Sequence, residues 1–435
     1  MKIAVVGAGV AGLYSAKLLI EKGHEITIYE SKKNIGGLAS SHSYKNYFYD
    51  VGPHIVFSRD PKILEEMLHI HNSWNKFKRE NVIIINGKKV NYPFENYLGM
   101  LDDRTNEYCL ENLINNLYES LNPINMEEFF LKTFGKGIYE TYLYPYNKKL
   151  WKRELTQLDL QMVERIPNPP KQDIIDGSKQ KYKEGYTHQS FFYYPKHGGI
   201  QSFVNSLYQS IDSKCNLHLD TKVNSINYEN EILTIDSDVV SRPQHFDKII
   251  STIPLVDLLQ LGASIKQLSS LNSCSSNLEY LGIIYGVIEV KSVTNNDIFA
   301  VTVPDLDIVF HRITYLNKLI DNEKSMEDLQ HVFLFEISIE DDNDRIREKE
   351  EIGVEVLTGM RKAGMTTEME YVGLDVNFAK KAYVVYNHNH RKDVDRIINT
   401  LNEQNIYAVG RMGSHEYYNM DQVINNCQKI ISEIQ

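Results

Sequence analysis

The sequence has 435 residues, 42% of them hydrophobic and 24% charged, with a formal net charge of −11 and four scattered cysteines. This length predicts two or three domains, and the negative charge does not favour a nucleic-acid partner. Cysteines without CxxC spacing predict neither a disulfide framework nor a metal site, and the lack of an apolar run of about 18 residues predicts a cytoplasmic protein without membrane contact.

The chain begins with a pattern typical of a β-α-β unit. "KIAVV" (residues 2–6) predicts a buried strand, and "GAGVAG" predicts the turn that follows it. The next apolar run predicts a helix, and the alternating "EITIYE" predicts a second strand. Gly7 permits the tight turn, Gly9 lets the backbone approach a pyrophosphate, and Gly12 lets the helix pack on the strand. Glu30 can accept hydrogen bonds from both hydroxyls of a ribose. The unit predicts a bound dinucleotide, the alternative being an incidental glycine-rich turn.

A second glycine pair, Gly36 and Gly37, favours FAD over NAD. It resembles the GG motif of the glutathione-reductase-like FAD families, in which backbone amides reach the pyrophosphate, although a surface turn is the alternative. "LDTKVNSINYENEILTID" predicts paired strands with Val223 against adenine, and "FDKIISTIP" a strand that returns to the FAD sheet. "IYAVGRMGSHEYYNMDQVINNCQKIISEI" predicts the strand, turn and helix that close over the flavin. We therefore predict a discontinuous FAD-binding domain formed by residues 1–60, 190–268 and 387–435.

The remaining segments predict two further domains. Residues 61–189 have mainly helical spacing, as in "PKILEEMLHIH" and "NMEEFFLKTFG", interrupted by one hairpin at Asn86-Gly87. Residues 269–386 have strand patterns, such as "LGIIYGVIEV" and "HVFLFEISI", with one charged helix. The predicted fold class is α/β: a Rossmann-like FAD-binding domain of glutathione-reductase type with a helical insertion domain and an antiparallel β-sheet domain.

Four stretches resemble the UDP-galactopyranose mutases, within the wider superfamily of FAD-binding amine oxidases and protoporphyrinogen oxidases. They are "VGPHIVFSRDP", similar to the family's GAHIFHT; "YPYNKKLWKRELTQLDLQMVERIP"; "FHRITY"; and "VGRMGSHEYYNMDQVI", beside the family's GGR, YYD and MHQV. In the second stretch, Trp151 and Arg165 keep the family's interval between a Trp and the Arg of an RIP motif. With the N-terminal motifs, these stretches extend over nearly the whole chain.

Two arginines are the residues that we expect to bind the substrate. A pyrophosphate carries about two negative charges and is matched by planar bidentate donors, so Arg165 and Arg312 would anchor it and stabilise it as a leaving group. The alternative is that each arginine pairs with a carboxylate at a domain interface. By resemblance, Trp151 would line the substrate cleft, while Tyr383 and Tyr417 would add phenolic donors to the pyrophosphate unless they are core residues.

The resemblance also implies contacts with the cofactor. His54 would lie over the flavin, or else be a structural histidine. Gly410 and Arg411, together with the start of the next helix at Met420 and Asp421, would face the flavin and the pyrophosphate of FAD. Amides at a helix N-terminus would stabilise the negative charge of a reduced flavin there.

The reaction that the resemblance implies needs a reduced flavin, although it has no net oxidation. The flavin N5 acts as a nucleophile at the anomeric carbon of a nucleotide-diphosphate sugar, and the sugar interconverts between pyranose and furanose forms. NAD(P)H or another donor would be the external reductant, and no protein general base is obligatory. A homodimer and a place in polysaccharide biosynthesis agree with the family.

The likeness fails at three points. The segment after the RIP arginine is about ten residues longer than in the family, so Tyr182, Tyr186 and Phe191 are all candidates for contact with the nucleotide base. The family's Asp after its paired tyrosines is Asn419 here, which we still assign to the substrate site, and its GAH is GPH. The nucleotide, the sugar or both can therefore differ.

Two other functions stay open at this stage. An oxidoreductase of the amine oxidase and protoporphyrinogen oxidase type would use the same FAD scaffold and would need only an exposed flavin N5. A binding protein could retain FAD as a structural ligand.

Overall fold

The computed structural model describes residues 1–179, 191–229, 232–238, 243–291, 299–319, 330–340, 348–365 and 368–434. Within these ranges, the helices are all too short or too polar to cross a lipid bilayer. Tyr182 and Tyr186 lie outside the described residues.

The strands belong to parallel, antiparallel and mixed sheets. In chain order they are β1 Lys2–Val6, β2 Glu25–Tyr29, β3 Ser41–Tyr44, β4 Tyr47–Asp50, β5 Trp74–Lys78, β6 Asn81–Ile85, β7 Lys88–Asn91, β8 Phe191–Pro195, β9 Cys215–His218, β10 Val223–Glu229, β11 Ile232–Ser237, β12 Gln244–Phe246, β13 Lys248–Ser251, β14 Glu279–Lys291, β15 Ala300–Thr302, β16 Arg312–Tyr315, β17 Gln330–Ile339, β18 Glu370–Val385 and β19 Ile406–Ala408.

The α-helices lie between and after these strands. In chain order they are α1 Val10–Glu21, α2 Pro61–Ile70, α3 Asp103–Ile114, α4 Met126–Ile138, α5 Tyr144–Trp151, α6 Lys171–Lys179, α7 Gln201–Gln209, α8 Leu255–Leu261, α9 Lys266–Ser269, α10 Asn272–Ser275, α11 Lys349–Lys362, α12 His390–Glu403, α13 Gly410–Gly413 and α14 Met420–Glu433.

A parallel sheet of order β19-β13-β1-β2-β9 forms the centre of the region that we predict to bind a dinucleotide. One face buries Ile3 and Val5 against α1 and α14, and the other packs on α12. The carboxyl ends of parallel strands meet at one edge of a sheet. Gly7 and Glu30, which follow β1 and β2, therefore lie at the same edge. The predicted mixed α/β fold is confirmed.

Close packing between α1 and β1 requires a residue without a Cβ at position 12. An added Cβ on Gly12 would lie 1.9 Å from the Gly7 carbonyl oxygen, a backbone atom that cannot move without opening the turn. We expect Gly12→Ala to lower the free energy of unfolding by about 1 to 3 kcal/mol, the usual cost of overpacking, as measured by urea unfolding. Gly9→Ala is the control, because its Cβ would meet Gly36 at 3.6 Å, an ordinary contact. Equal losses in both variants would contradict this explanation.

The second large sheet has the order β18-β14-β17-β16-β15-β6-β7. The predicted hairpin is present, with positive φ angles at Asn86 and Gly87, but it extends this sheet instead of belonging to the helical region. The described strands of residues 269–386 pair antiparallel with one another, as predicted, whereas β6 pairs with β15 in parallel, so the complete sheet is mixed. The physical reason is that an isolated two-stranded hairpin is marginally stable, whereas here Ile83 to Ile85 are buried by the neighbouring strands and helices.

Candidate functional site

One large cleft opens where the carboxyl edge of the parallel sheet faces the mixed sheet and the helical region. Its volume is about 1740 Å³. Pockets for one small ligand usually measure roughly 300–1,000 Å³, so this cleft can hold two ligands. The predicted site residues line it, with three exceptions: Gly12, Val223 and Gly410.

The three exceptions lie behind the cleft wall. Gly12 and Gly410 are packing positions, since an added Cβ on Gly410 would lie 2.4 Å from the Ala11 Cβ. Val223 is 5% exposed and packs with Tyr29 in the core, outside the cleft lining, and its contact with adenine stays a prediction. The register of β10 shifts immediately after Val223, and Leu219, just before the strand, lines the cleft instead.

Two glycine turns lie side by side at one end of the cleft. Gly9 forms a parallel bridge with Gly36, and it precedes α1 without any side-chain cap. The first N–H groups of α1 are therefore available to an anion. Glu30 stabilises this region, because its Oε2 accepts from the Ala8 N–H at 2.8 Å and its Oε1 accepts from the Lys32 N–H at 2.9 Å.

Two guanidinium groups flank Tyr417 further along the cleft. The Cζ atoms of Arg165 and Arg411 lie 4.2 and 4.3 Å from the centroid of the Tyr417 ring. Arg165 donates to the Tyr417 carbonyl oxygen at 2.9 Å and to Asn419 Oδ1. Arg411 donates to the carbonyl oxygens of Ala382 and Tyr418. Among the described residues neither arginine has a carboxylate partner, so this part of the cleft attracts an anion.

The aromatic wall around these arginines is formed by predicted residues. The Trp151 ring meets the edges of Tyr383 and Tyr417, with centroids 6.1 and 5.4 Å away. Asn419 caps α14 in a capping box with Gln422 while its Oδ1 also accepts from Arg165. The N-terminal cap therefore connects the start of α14 to the arginine.

Arg312 has a different environment from the other two arginines. Its Nε and Nη2 donate to Glu336 Oε1 and Oε2 at 2.5 and 2.6 Å, across the neighbouring strands β16 and β17. Burial alone would lower the pKa of Arg312, but the Glu336 carboxylate raises it above its usual value. Arg312 therefore pairs with a carboxylate, which was the alternative to substrate binding. The two partners belong to one sheet, however, and not to an interface between domains. Glu336 largely neutralises its charge.

His54 lines the cleft as a neutral imidazole. Burial, with a smaller effect from Arg411 and Arg312, lowers the pKa of His54 to about 4. Its Nδ1 lies 3.0 Å from the Gly52 carbonyl oxygen. A carbonyl only accepts hydrogen bonds, so Nδ1 carries the proton and Nε2 is left as an acceptor.

The buried polar atoms of the cleft wall that have no hydrogen-bond partner within the described part of the chain include Arg411 Nε and Asp421 Oδ1. Such atoms are rare in folded proteins and usually mark a ligand or an ordered water. With the exposed helix N-terminus and the paired glycine turns, they fit a phosphate-containing cofactor that has both donor and acceptor groups.

Sequence reasoning missed several residues of the cleft wall. Glu336 could have been noticed, since a carboxylate in the apolar run "HVFLFEISI" needs a partner. The cleft is also lined by Arg79, Tyr92, Glu95 and Tyr146. The spacing of these residues in the sequence does not indicate a binding site. Of the three aromatic candidates for base contact, Phe191 lies within the described residues, where it is 51% exposed and outside the cleft lining. It pairs with Lys78 at the end of a two-stranded ribbon.

The buried carboxyl of Glu95 should make the free energy of unfolding depend on pH. Burial raises the pKa of Glu95 from 4.5 to about 7. The folded state thus keeps a proton that the unfolded state has lost, and this stabilisation is complete below about pH 4.5 and lost as the pH rises through about 7. Relative to Glu95→Gln, the unfolding free energy of the wild type should fall by about 3 kcal/mol between about pH 4 and about pH 8.

Urea unfolding of both proteins over this pH range measures the difference. The control is Glu164→Gln, an exposed carboxylate at the cleft, which should follow the wild-type pH profile. Identical pH profiles for wild type and Glu95→Gln would show that the Glu95 carboxyl is not buried in the folded protein.

Comparison with known proteins places these features in a family context. The family model described as flavin containing amine oxidoreductase matches residues 10–363. An L-amino-acid oxidase of Crotalus adamanteus is 25% identical over 244 residues, which cover 54% of this chain and 46% of that protein. A 4,4'-diapophytoene desaturase (4,4'-diaponeurosporene-forming) of Staphylococcus aureus (strain COL) is 45% identical over 60 residues, 14% of this chain and 12% of that protein. The alignments thus span about half or less of the curated relatives' length.

Two solved structures resemble the fold over the whole chain. A reduced UDP-galactopyranose mutase matches with a TM-score of 0.89 and 22% identity, covering 100% of this chain and 93% of the other. A protein assigned as a protoporphyrinogen oxidase from Exiguobacterium sp. 255-15 matches with a TM-score of 0.78 and 16% identity, covering 100% and 98%. At these identities the likeness concerns the fold.

Proposed function

Since the chain belongs to the family of flavin-containing amine oxidoreductases, we propose that it is an FAD-dependent mutase that interconverts the pyranose and furanose forms of a nucleotide-diphosphate sugar. The family and the fold make it a flavin-dependent enzyme. The proposal concerns the reaction and the substrate.

FAD fits the glycine-rich end of the cleft. The first turn of α1 and the Gly36-Gly37 turn would hold its pyrophosphate, and Glu30 would hold its adenosine ribose. Arg411 Nε and Asp421 Oδ1 offer a donor and an acceptor for the remaining polar groups. When bound and reduced, the flavin supplies a nucleophile, its N5, for the anomeric carbon of the sugar.

The observation that carries the proposal is the pair of guanidinium groups on Tyr417. Arg165 and Arg411 bring two positive charges into the cleft, and no carboxylate of the described residues pairs with either guanidinium. A diphosphate needs this environment both to bind and to leave the anomeric carbon with the electron pair of the broken C–O bond. A substrate that is a simple amine does not need it.

The other cleft residues would orient the substrate and exclude water. Trp151 and Tyr383 enclose the arginine region with apolar surface, which strengthens the attraction between the guanidiniums and the diphosphate. Arg312, held by Glu336, would offer its remaining N–H to the diphosphate. Neutral His54 can accept a hydrogen bond through Nε2 without adding charge near the flavin.

A panel of UDP-, TDP- and GDP-sugars tests the proposal. Each is incubated with dithionite-reduced protein, and chromatography with mass detection searches for a product of unchanged mass and altered retention. We expect one nucleotide class to give such a product. An absence of product and of nucleotide-sugar affinity across the panel would refute the mutase.

The second candidate function is an FAD-dependent oxidoreductase, which the oxidase and desaturase relatives favour. Bleaching of the bound flavin by an amine or a porphyrinogen, with oxygen consumption during turnover, would support it against the mutase.

A further inference from the structure

A polar cluster lies behind the cleft wall, where the turn between α13 and α14 passes the end of β18. Its members are Gln161, Tyr386, His390, Arg391 and Glu416. These five described residues lie outside the cleft lining, and three of them, Tyr386, His390 and Glu416, are buried. The cluster can therefore influence a ligand in the cleft only through the residues that lie between them.

Hydrogen bonds connect the cluster to Tyr417. The Tyr417 backbone N–H donates to the Tyr386 hydroxyl at 2.6 Å, and this hydroxyl donates to Glu416 Oε2 at 2.7 Å. Arg391 Nη2 donates to Glu416 Oε1 at 2.8 Å. A backbone N–H only donates and a carboxylate only accepts, so the direction of each bond is fixed. The Tyr386 hydroxyl keeps its proton at neutral pH, because burial and the Glu416 carboxylate raise its pKa.

The same cluster holds the turn that carries Arg165. The Tyr386 carbonyl oxygen accepts from the Asp159 N–H at 2.8 Å, and Asp159 Oδ1 accepts from the Gln161 N–H at 3.0 Å. Gln161 Oε1 accepts from Arg391 Nη2 at 3.2 Å. The turn that begins here ends at Arg165. One cluster therefore fixes the backbone on both sides of the contact between Arg165 and its tyrosine ring.

The turn between α13 and α14 has a strained backbone at His415. Its φ angle is 49°, in the left-handed region that residues other than glycine rarely adopt. His390 Nε2 donates to the His415 carbonyl oxygen at 2.9 Å, while the His390 ring stacks on Tyr386 with centroids 3.9 Å apart. Strained residues persist only where the surrounding structure holds them, and they are concentrated at functional sites. The cluster thus holds this turn in a shape that it would not keep by itself.

We propose that Tyr386 is a positioning residue for the diphosphate and acts through Tyr417. Its hydroxyl, oriented by Glu416, fixes the Tyr417 backbone. The Tyr417 ring in turn keeps Arg165 and Arg411 in place, since both guanidiniums lie against it. This inference rests on the proposed function, because it assumes that these guanidiniums bind a nucleotide diphosphate.

Calorimetry of UDP, TDP and GDP binding to the FAD-loaded protein tests the role of Tyr386. Tyr386→Phe keeps the ring on His390 but removes the hydroxyl, so affinity for the nucleotide that binds should fall about fivefold to tenfold. The loss should be smaller for the monophosphate of the same base, which lacks the second phosphate. Glu416→Gln keeps an acceptor for the hydroxyl and should stay within about twofold of the wild type, whereas Glu416→Leu should resemble Tyr386→Phe.

Tyr14→Phe is the matched control. The buried Tyr14 hydroxyl likewise donates to a carboxylate, that of Glu66, and accepts from an N–H group, Gln428 Nε2, at 2.9 Å. This network joins α1, α2 and α14 outside the cleft lining. Tyr14→Phe should therefore lose stability in urea unfolding as Tyr386→Phe does, but bind nucleotide diphosphates like the wild type.

The outcomes separate the two levels of the argument. Wild-type affinity in Tyr386→Phe, an equal loss of affinity in Tyr14→Phe, or equal losses for the monophosphate and the diphosphate would overturn the role of Tyr386 and leave the proposed function standing. Failure of UDP, TDP and GDP to bind the wild-type protein would overturn both.

Discussion

Replacing Arg312 by alanine is expected to lower the free energy of unfolding by about 3 to 5 kcal/mol. The reason is its partner Glu336, whose side chain is 1% exposed and which would remain as a buried carboxylate without a cation. The substitution should therefore destabilise the fold and not only weaken the site, since Arg312 and Glu336 connect adjacent strands of the mixed sheet. Urea unfolding of the FAD-loaded variant measures it.

A double variant tests whether the loss of stability comes from the unpaired charge of Glu336. In Arg312→Met combined with Glu336→Gln, both charges are removed and the buried volume is nearly kept, so most of the stability should return. If Arg312→Ala alone unfolds with the wild-type free energy, the ion pair does not contribute to the sheet. Any loss of nucleotide affinity in Arg312→Ala must therefore be compared with this double variant.

Replacing Arg165 by alanine is expected to weaken nucleotide-diphosphate binding by about 2 to 5 kcal/mol, while FAD stays bound. Arg165 interacts with neutral groups, the Tyr417 carbonyl and the Asn419 side chain, so its removal leaves no buried carboxylate without a partner. Stability should change little. Calorimetry with UDP and TDP, together with the flavin absorbance of the purified variant, measures both effects.

Two further substitutions control this experiment. Arg165→Lys keeps the charge but loses the planar, bidentate geometry, so it should recover only part of the affinity. Arg396→Ala removes an exposed arginine of α12 outside the cleft and should bind like the wild type. UDP and TDP affinities unchanged in Arg165→Ala would remove the main support for the substrate class.

Local patterns predicted the parallel-sheet half of the fold well. The β-α-β unit, the Gly9 and Gly36 turns and the final strand and helix are each defined by short-range spacing, and the structure has elements at these positions. Trp151 and Arg165 were identified because they keep the interval found in the family that the sequence resembles. Both line the cleft, because the helical segments that carry them pack against it.

Long-range pairing could not be predicted in the same way. The hairpin at Asn86 was recognised by its turn, but its pairing partner, β15, lies more than two hundred residues further along the chain. The partner of Arg312 depends on the register of two strands, and the position of Glu95 depends on how the helical region closes over the cleft. Arg411 was assigned to the cofactor, and its position beside Arg165 on the same tyrosine ring was not predicted. These features arise from tertiary packing, which periodicity does not encode.

The redox dependence of isomerisation tests the central claim most directly. A nucleotide-diphosphate hexose is incubated without oxygen with the same preparation in its oxidised and its dithionite-reduced form, and chromatography follows the furanose product. The account predicts conversion by the reduced protein and none by the oxidised protein, with no consumption of reductant per turnover. Equal rates in the two forms, or stoichiometric oxidation of the sugar, would contradict it.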